Sequence, residues 1–155
     1  AVEKGGEAKM KFFSSFFVLV FVFVSSDVSA SECVDRCQDE LEQAQNLFSD
    51  VFSSHLSSDS MNDELLADIV NYSDLAGEMF SSSDICYAKQ QMENDQLRDC
   101  ALISERRAWV RKFGRLATFL KAIKFKLSRA ECANGCDLSF EHEYFKELSE
   151  DLINN

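Results

Sequence analysis

The 155-residue sequence contains no proline and only five glycines, two of them within the first six residues. Tight β-hairpins depend on glycine and on Asn-Gly turns, so this scarcity argues against a β-sandwich or a β-barrel. Glycine is also far too rare for a collagen, and 46% hydrophobic residues are too many for a disordered chain. The remaining class is a small, mostly helical protein.

Positive charge is scarce as well. The chain has 16 Lys and Arg residues against 27 Asp and Glu residues, which gives a net charge of −11. Such a protein repels a phosphate backbone, so we expect no nucleic acid among its partners.

The sequence also lacks an apolar run long enough to cross a bilayer, which takes about 20 residues. Its unbroken run, Phe16 to Val24, follows Met10-Lys11 and precedes the small residues Val28-Ser29-Ala30. This arrangement predicts a secretory signal peptide over residues 10–30, with a signal anchor as the alternative. Residues 1–9 are interpreted as an upstream leader or an expression remnant. The secreted, extracellular chain is then residues 31–155.

All six cysteines fall in this mature part, and an even number in a secreted chain predicts three disulfides. Zinc is the alternative, but the Cys-x3-Cys spacing, which occurs twice, is not the usual zinc spacing. We therefore expect no metal and no other cofactor. The cysteines are Cys33, Cys37, Cys86, Cys100, Cys132 and Cys136.

Cysteines four apart on a helix share a face and are poorly oriented to bond each other. The two Cys-x3-Cys pairs at opposite ends of the mature chain therefore suggest an antiparallel staple. Cys86 and Cys100 remain, and they can meet only if the chain turns near residues 92–95. This order is one of 15 connectivities, and it resembles, in topology, that of saposin-type helical domains. The predicted bonds are Cys33–Cys136, Cys37–Cys132 and Cys86–Cys100.

Apolar residues recur at helical spacing through most of residues 31–155. The pattern predicts an all-α fold, a compact disulfide-stapled bundle of four to five helices in a single domain. Ser81-Ser82-Ser83-Asp84 is expected to end the second helix, and Asn134-Gly135 is expected to stop the helix before the last. The predicted helices span 32–56, 62–80, a weak segment from 85, 99–130 and 139–152.

Asn71-Tyr72-Ser73 is a glycosylation sequon, which a secreted protein can use. Three-residue sequons also arise by chance, so Asn71 is either a glycosylation site or an ordinary surface residue.

One stretch, residues 106–130, has nine basic residues and no acidic residue, whereas the rest of the mature chain has four basic and 24 acidic residues. Its apolar residues form a narrow stripe that includes Trp109. A helix of this kind can bind an anionic membrane. Alternatively, the stripe is core and the basic residues face acidic helices of the same molecule, which the acidic remainder favours. The candidate surface residues are Arg106, Arg107, Trp109, Arg111, Lys112, Arg115, Lys121, Lys124, Lys126 and Arg129.

No catalytic motif is present: there is no Gly-x-Ser-x-Gly elbow, no phosphate-binding loop and no His-Glu-x-x-His pair. The two histidines, His55 and His142, lie in helical patterns near carboxylates, and we expect no enzyme. The leading hypothesis is a secreted, non-enzymatic effector or binding protein that acts on an extracellular protein or a small apolar ligand. A membrane-active toxin-like or host-defence protein that uses residues 106–129 is the first alternative. A hormone or cytokine-like ligand is the second, and the oligomeric state is left open.

Overall fold

Every regular element in residues 33–56 and 62–154, which the computed structural model describes, is helical. The predicted signal peptide lies outside these residues. The described residues from Asp35 onward form one compact unit, and the predicted all-α, disulfide-stapled bundle is confirmed. The α-helices are α1 (Gln38–Leu47), α2 (Asp63–Val70), α3 (Ser73–Glu93), α4 (Ala101–Leu127) and α5 (Ser139–Ile153).

Four shorter elements complete the described fold. Helix α1 continues as a π-helix over Phe48–Ser53 and ends with an α-helical turn over Ser54–Leu56. One 3₁₀ turn, Asp95–Asp99, joins α3 to α4, and another, Ala130–Cys132, follows α4. The predicted change of direction near residues 92–95 is therefore found, because α3 ends at Glu93.

Helix α4 is the centre of the bundle and packs against α1, α2, α3 and α5. Its apolar residues meet aromatic and aliphatic side chains from the other helices, so that no helix buries its apolar face alone. The core residues with no exposed surface include Phe52, Leu66, Ile69, Phe113, Leu116, Leu120 and Phe145.

The predicted helix end at Ser81–Asp84 is wrong, because α3 runs through it without interruption. Ser83 is fully buried, and its hydroxyl lies 2.7 Å from the carbonyl oxygen of Met79 and 3.1 Å from that of Glu40. A serine whose hydroxyl is satisfied by the preceding turn and by a neighbouring helix is compatible with a helix interior. The chain breaks instead at Asn71–Tyr72, between α2 and α3.

The predicted disulfide order is also wrong, although every cysteine is disulfide-bonded. Cys37 bonds Cys86, with 5.9 Å between their Cα atoms, and Cys132 bonds Cys136, with 4.8 Å. None of the bonds Cys33–Cys136, Cys37–Cys132 and Cys86–Cys100 is formed, and the nested topology of saposin-type domains is absent.

The physical reason lies in where the helices begin and end. Helix α1 starts only at Gln38, so Cys37 precedes it and is free to face α3. Cys132 and Cys136 lie in the connection between α4 and α5, where Gly135 has a φ of +95°. Such a turn, which favours glycine, lets cysteines four apart meet, whereas a continuous helix would not.

Candidate functional site

The apolar stripe of the basic stretch lies in the core. Phe113, Leu116 and Leu120 of α4 have no exposed surface. Trp109 is half-buried and stacks on Phe113, with 5.3 Å between ring centroids. The apolar face of α4 is therefore covered by the protein's own helices and is not open to a membrane in the folded state.

Several basic residues of α4 form ion pairs with acidic residues of other segments, as the core interpretation of the stretch requires. Lys112 lies 3.0 Å from Asp151 of α5, and Lys124 lies 2.6 Å from Asp74 of α3. The hydrogen bond from Lys124 holds the pKa of the Asp74 carboxyl below its usual value. Lys126 is paired with the carboxylate of Glu141. The pairs of Lys112 and Lys124, whose partner carboxylates are exposed, contribute little stability each, about 0–1 kcal/mol. The Glu141 side chain, in contrast, is only 11% exposed.

Arg106 belongs to a polar cluster beside the Cys37–Cys86 bond. Its guanidinium is paired with Asp35, whose side chain is only 3% exposed. The Tyr87 hydroxyl donates to the same carboxylate at 2.7 Å, and the backbone N–H of Cys37 donates to its other oxygen at 2.8 Å. Burial, and then the hydrogen bond to Asp35, raise the pKa of Tyr87 well above its ordinary value. This cluster fastens the segment before α1 to α3 and α4.

Three arginines of α4 have a different environment. Arg107, Arg111 and Arg115 are spaced four residues apart, so they form one row on the helix surface. Within the described part of the chain, neither Arg111 nor Arg115 forms an ion pair, and both are exposed. Arg107 donates to the side chain of Gln91, while its Nε is buried with no hydrogen-bond partner.

This row borders a groove of about 680 Å³ that lies over α4, between α3 and α5. Its lining is mostly apolar, and the carboxylate that it contains is Asp84. We call this feature the arginine groove; the lining residues used below are Phe80, Arg107, Arg111, Arg115, Phe119 and Tyr144.

Aromatic rings extend the groove away from the arginines. Phe119 contacts Tyr144 edge to face, with ring centroids 4.8 Å apart, and Tyr144 stacks on Phe140 at 5.9 Å. Phe140 is 70% exposed. A continuous row of three rings therefore runs from the groove to the surface. We call it the aromatic track; its residues are Phe119, Tyr144 and Phe140.

The floor of the groove depends on Gly114. A Cβ at this position would overlap the ring of Phe80 on α3, whereas a Cβ at Gly77 would meet nothing within 4 Å. Alanine favours a helix interior over glycine by about 1 kcal/mol at either site, but at Gly114 the overpacking costs about 1–3 kcal/mol.

We expect Gly77→Ala to raise the free energy of unfolding above that of the wild type. The free energy of unfolding of Gly114→Ala should be about 1–3 kcal/mol lower than that of Gly77→Ala. Urea unfolding of the two variants measures this difference, with Gly77→Ala as the matched control. Equal stabilisation by both substitutions would show that the Phe80 ring does not occupy the space beside Gly114.

The structure separates the other predicted site residues. Asn71 is exposed at the junction of α2 and α3, Lys121 is exposed near Asp74, and Arg129 lies over the exposed Phe125 ring at 4.8 Å. The sequence did not indicate the aromatic half of the groove, because its rings come from three different helices. The four-residue spacing of the arginines was the visible signal.

The two histidines lie together at another surface cavity, of about 700 Å³. His142 of α5 lies 3.1 Å from Asp63 of α2, and His55 lines the same cavity. No group of His, Cys, Asp and Glu residues within 33–56 and 62–154 is arranged to hold a metal ion.

No protein-family model matches this chain, and no curated protein or solved structure is significantly similar to it. Among the helices of the described residues, none combines the length and the apolar character needed to cross a membrane.

Proposed function

We propose that this protein is a secreted, non-enzymatic binding protein that holds its ligand in the arginine groove. The observation that carries the proposal is the pair Arg111 and Arg115, which are exposed and without ion-pair partners among the described residues, beside aromatic rings in a protein of net charge −11. Lys112, Lys124 and Lys126 of the same helix are each paired with an acid. Arg111 and Arg115 are not, so they can stabilise an external anion.

Secretion is part of the proposal. Disulfides persist in oxidising compartments, and Cys37–Cys86 and Cys132–Cys136 fit that environment. We expect protein recovered from culture medium to begin near Ser31, and N-terminal sequencing tests this. A mature chain that retains Phe16 to Val24 would contradict it.

Glycosylation is tested separately at Asn71, which is exposed. If Asn71 carries a glycan, enzymatic deglycosylation should lower the mass of the wild-type protein but not that of Asn71→Gln.

The non-enzymatic part rests on what lines the groove. Arginine guanidinium groups and aromatic rings bind and orient anions and apolar groups, and the one carboxylate of the lining, Asp84, has no histidine, cysteine or serine beside it in the groove. A membrane-active function of residues 106–129 would need the apolar face of α4, which is buried. A hormone precursor cut at Arg106-Arg107 would need cleavage within α4, next to the ion pair with Asp35.

The proposal is tested with an aromatic sulfonate dye, 1-anilinonaphthalene-8-sulfonate, which presents one anion and an apolar body. We expect the dye to bind the wild-type protein at one site, and Arg111→Gln/Arg115→Gln to weaken binding by about tenfold or more, since charge-assisted hydrogen bonds are lost. The matched control is Lys89→Gln/Arg98→Gln, which removes the same charge from exposed positions outside the groove. Equal loss in both variants, or equal binding by all three proteins, would exclude the groove as the binding site.

A further inference from the structure

The charge along the arginine groove is distributed unevenly. Arg107, Arg111 and Arg115 lie at one end, and the next position in the same row is Phe119. Beyond Arg115 the lining that leads toward Tyr144 is uncharged. With Asp84 as the one carboxylate of the lining, the groove keeps a net positive charge. Its arginines lie at one end, and the other end is aromatic.

We propose that the ligand is a free single-chain amphiphilic anion, with its charged head at Arg111 and Arg115 and its hydrocarbon chain along the aromatic track. This inference rests on the proposed function, since it names the ligand class of that same groove. An acidic peptide would carry several charges along its length and would place some of them against the uncharged end.

The head is recognised by guanidinium geometry. Arg111 and Arg115 are one helical turn apart, about 6 Å along the axis, so their flexible side chains can converge on one anion. A guanidinium presents a planar fork of donors that matches a carboxylate with two parallel hydrogen bonds.

The chain is accommodated by rings that are already in contact. Phe119, Tyr144 and Phe140 offer apolar surface from the groove to the exposed Phe140 ring. The groove volume of about 680 Å³ lies within the usual range for small-molecule sites, about 300–1,000 Å³. Each additional methylene group that contacts this surface should raise affinity by about fourfold.

The test uses isothermal titration with dodecanoate below its micelle concentration, at pH 7.5, where it is ionised. We expect one dodecanoate per chain, and decanoate to bind more weakly by roughly fourfold per methylene removed. Arg111→Gln/Arg115→Gln should weaken dodecanoate binding by about tenfold or more, whereas the Lys89→Gln/Arg98→Gln control should bind as the wild type does. Phe140→Ala should weaken dodecanoate more than octanoate, because only the longer chain reaches that exposed ring.

Four further probes complete the test. Dodecanol and dodecyltrimethylammonium should bind far more weakly than dodecanoate, and equal binding of either would overturn the role of the arginines. A different result is that the protein does not bind free dodecanoate and yet binds anionic phosphatidylglycerol vesicles, or an oligoglutamate peptide, through the arginines. That result would overturn the proposal in favour of a membrane or a protein partner.

If the sulfonate dye binds through Arg111 and Arg115 but dodecanoate does not, the ligand class is wrong and the proposed function stands. If neither binds, both are wrong.

Discussion

Replacing Leu116 with aspartate is expected to unfold the protein. Leu116 has no exposed surface at the centre of α4, the helix that packs against every other α-helix described here. The substitution removes the buried side chain, which alone costs about 2–5 kcal/mol, and places an unpaired charge in the core. Together these effects approach the whole stability of a typical domain, about 5–15 kcal/mol. Near-ultraviolet circular dichroism and Trp109 fluorescence measure the loss of packing.

The matched control is Ala108→Asp, which adds the same charge at an exposed position of the same helix. It should lower the free energy of unfolding by about 1 kcal/mol or less. A folded Leu116→Asp protein would mean that the apolar stripe of α4 faces solvent, as a membrane-binding helix would require.

The second large effect concerns the two assigned disulfides, which should contribute unequally to stability. Cys37–Cys86 links residues 49 apart in sequence, whereas Cys132–Cys136 links residues four apart. In the loop-entropy model, the longer loop restricts the unfolded chain by about 4 kcal/mol and the short one by about 2 kcal/mol.

Cys37→Ala/Cys86→Ala should therefore lower the free energy of unfolding by roughly twice as much as Cys132→Ala/Cys136→Ala. Alanine is used because Cys37 is fully buried and serine would bury a hydroxyl there. Urea unfolding measures both losses. Peptide mapping that joined Cys37 to Cys132 would contradict the pairing itself.

Periodicity was sufficient to predict a long helix with one apolar face, which is found as α4. The spacing of Phe113, Leu116 and Leu120 did not decide whether a membrane or the interior of the bundle covers that face. The acidic excess of the remaining chain likewise made internal ion pairs, such as Lys124 with Asp74, the favoured outcome.

The cysteine pairing was not predictable, because it depends on the residue at which α1 begins. A start at residue 32 would place Cys33 and Cys37 on one helical face, but the observed start at Gln38 leaves Cys37 outside the helix. The uninterrupted α3 was missed for a similar reason, since a serine that prefers turns is accepted when tertiary contacts satisfy its hydroxyl, as they do for Ser83.

Half of the arginine groove could be anticipated and half could not. The row of arginines is visible as a four-residue spacing on one predicted helix. Phe80 and Tyr144 come from α3 and α5, so only the packing of those helices on α4 brings them beside Phe119. Their contribution is a tertiary property that the pattern within each helix does not contain.

The most direct test of this account is a nuclear magnetic resonance measurement of the protein bound to dodecanoate. We expect intermolecular nuclear Overhauser effects from the alkyl chain to the rings of Phe119, Tyr144 and Phe140, and none to Leu116 or Leu120 in the core. Overhauser effects from the chain to Leu116 and Leu120, with none to the three rings, would contradict the account, because they would show that the apolar face of α4 is the binding surface.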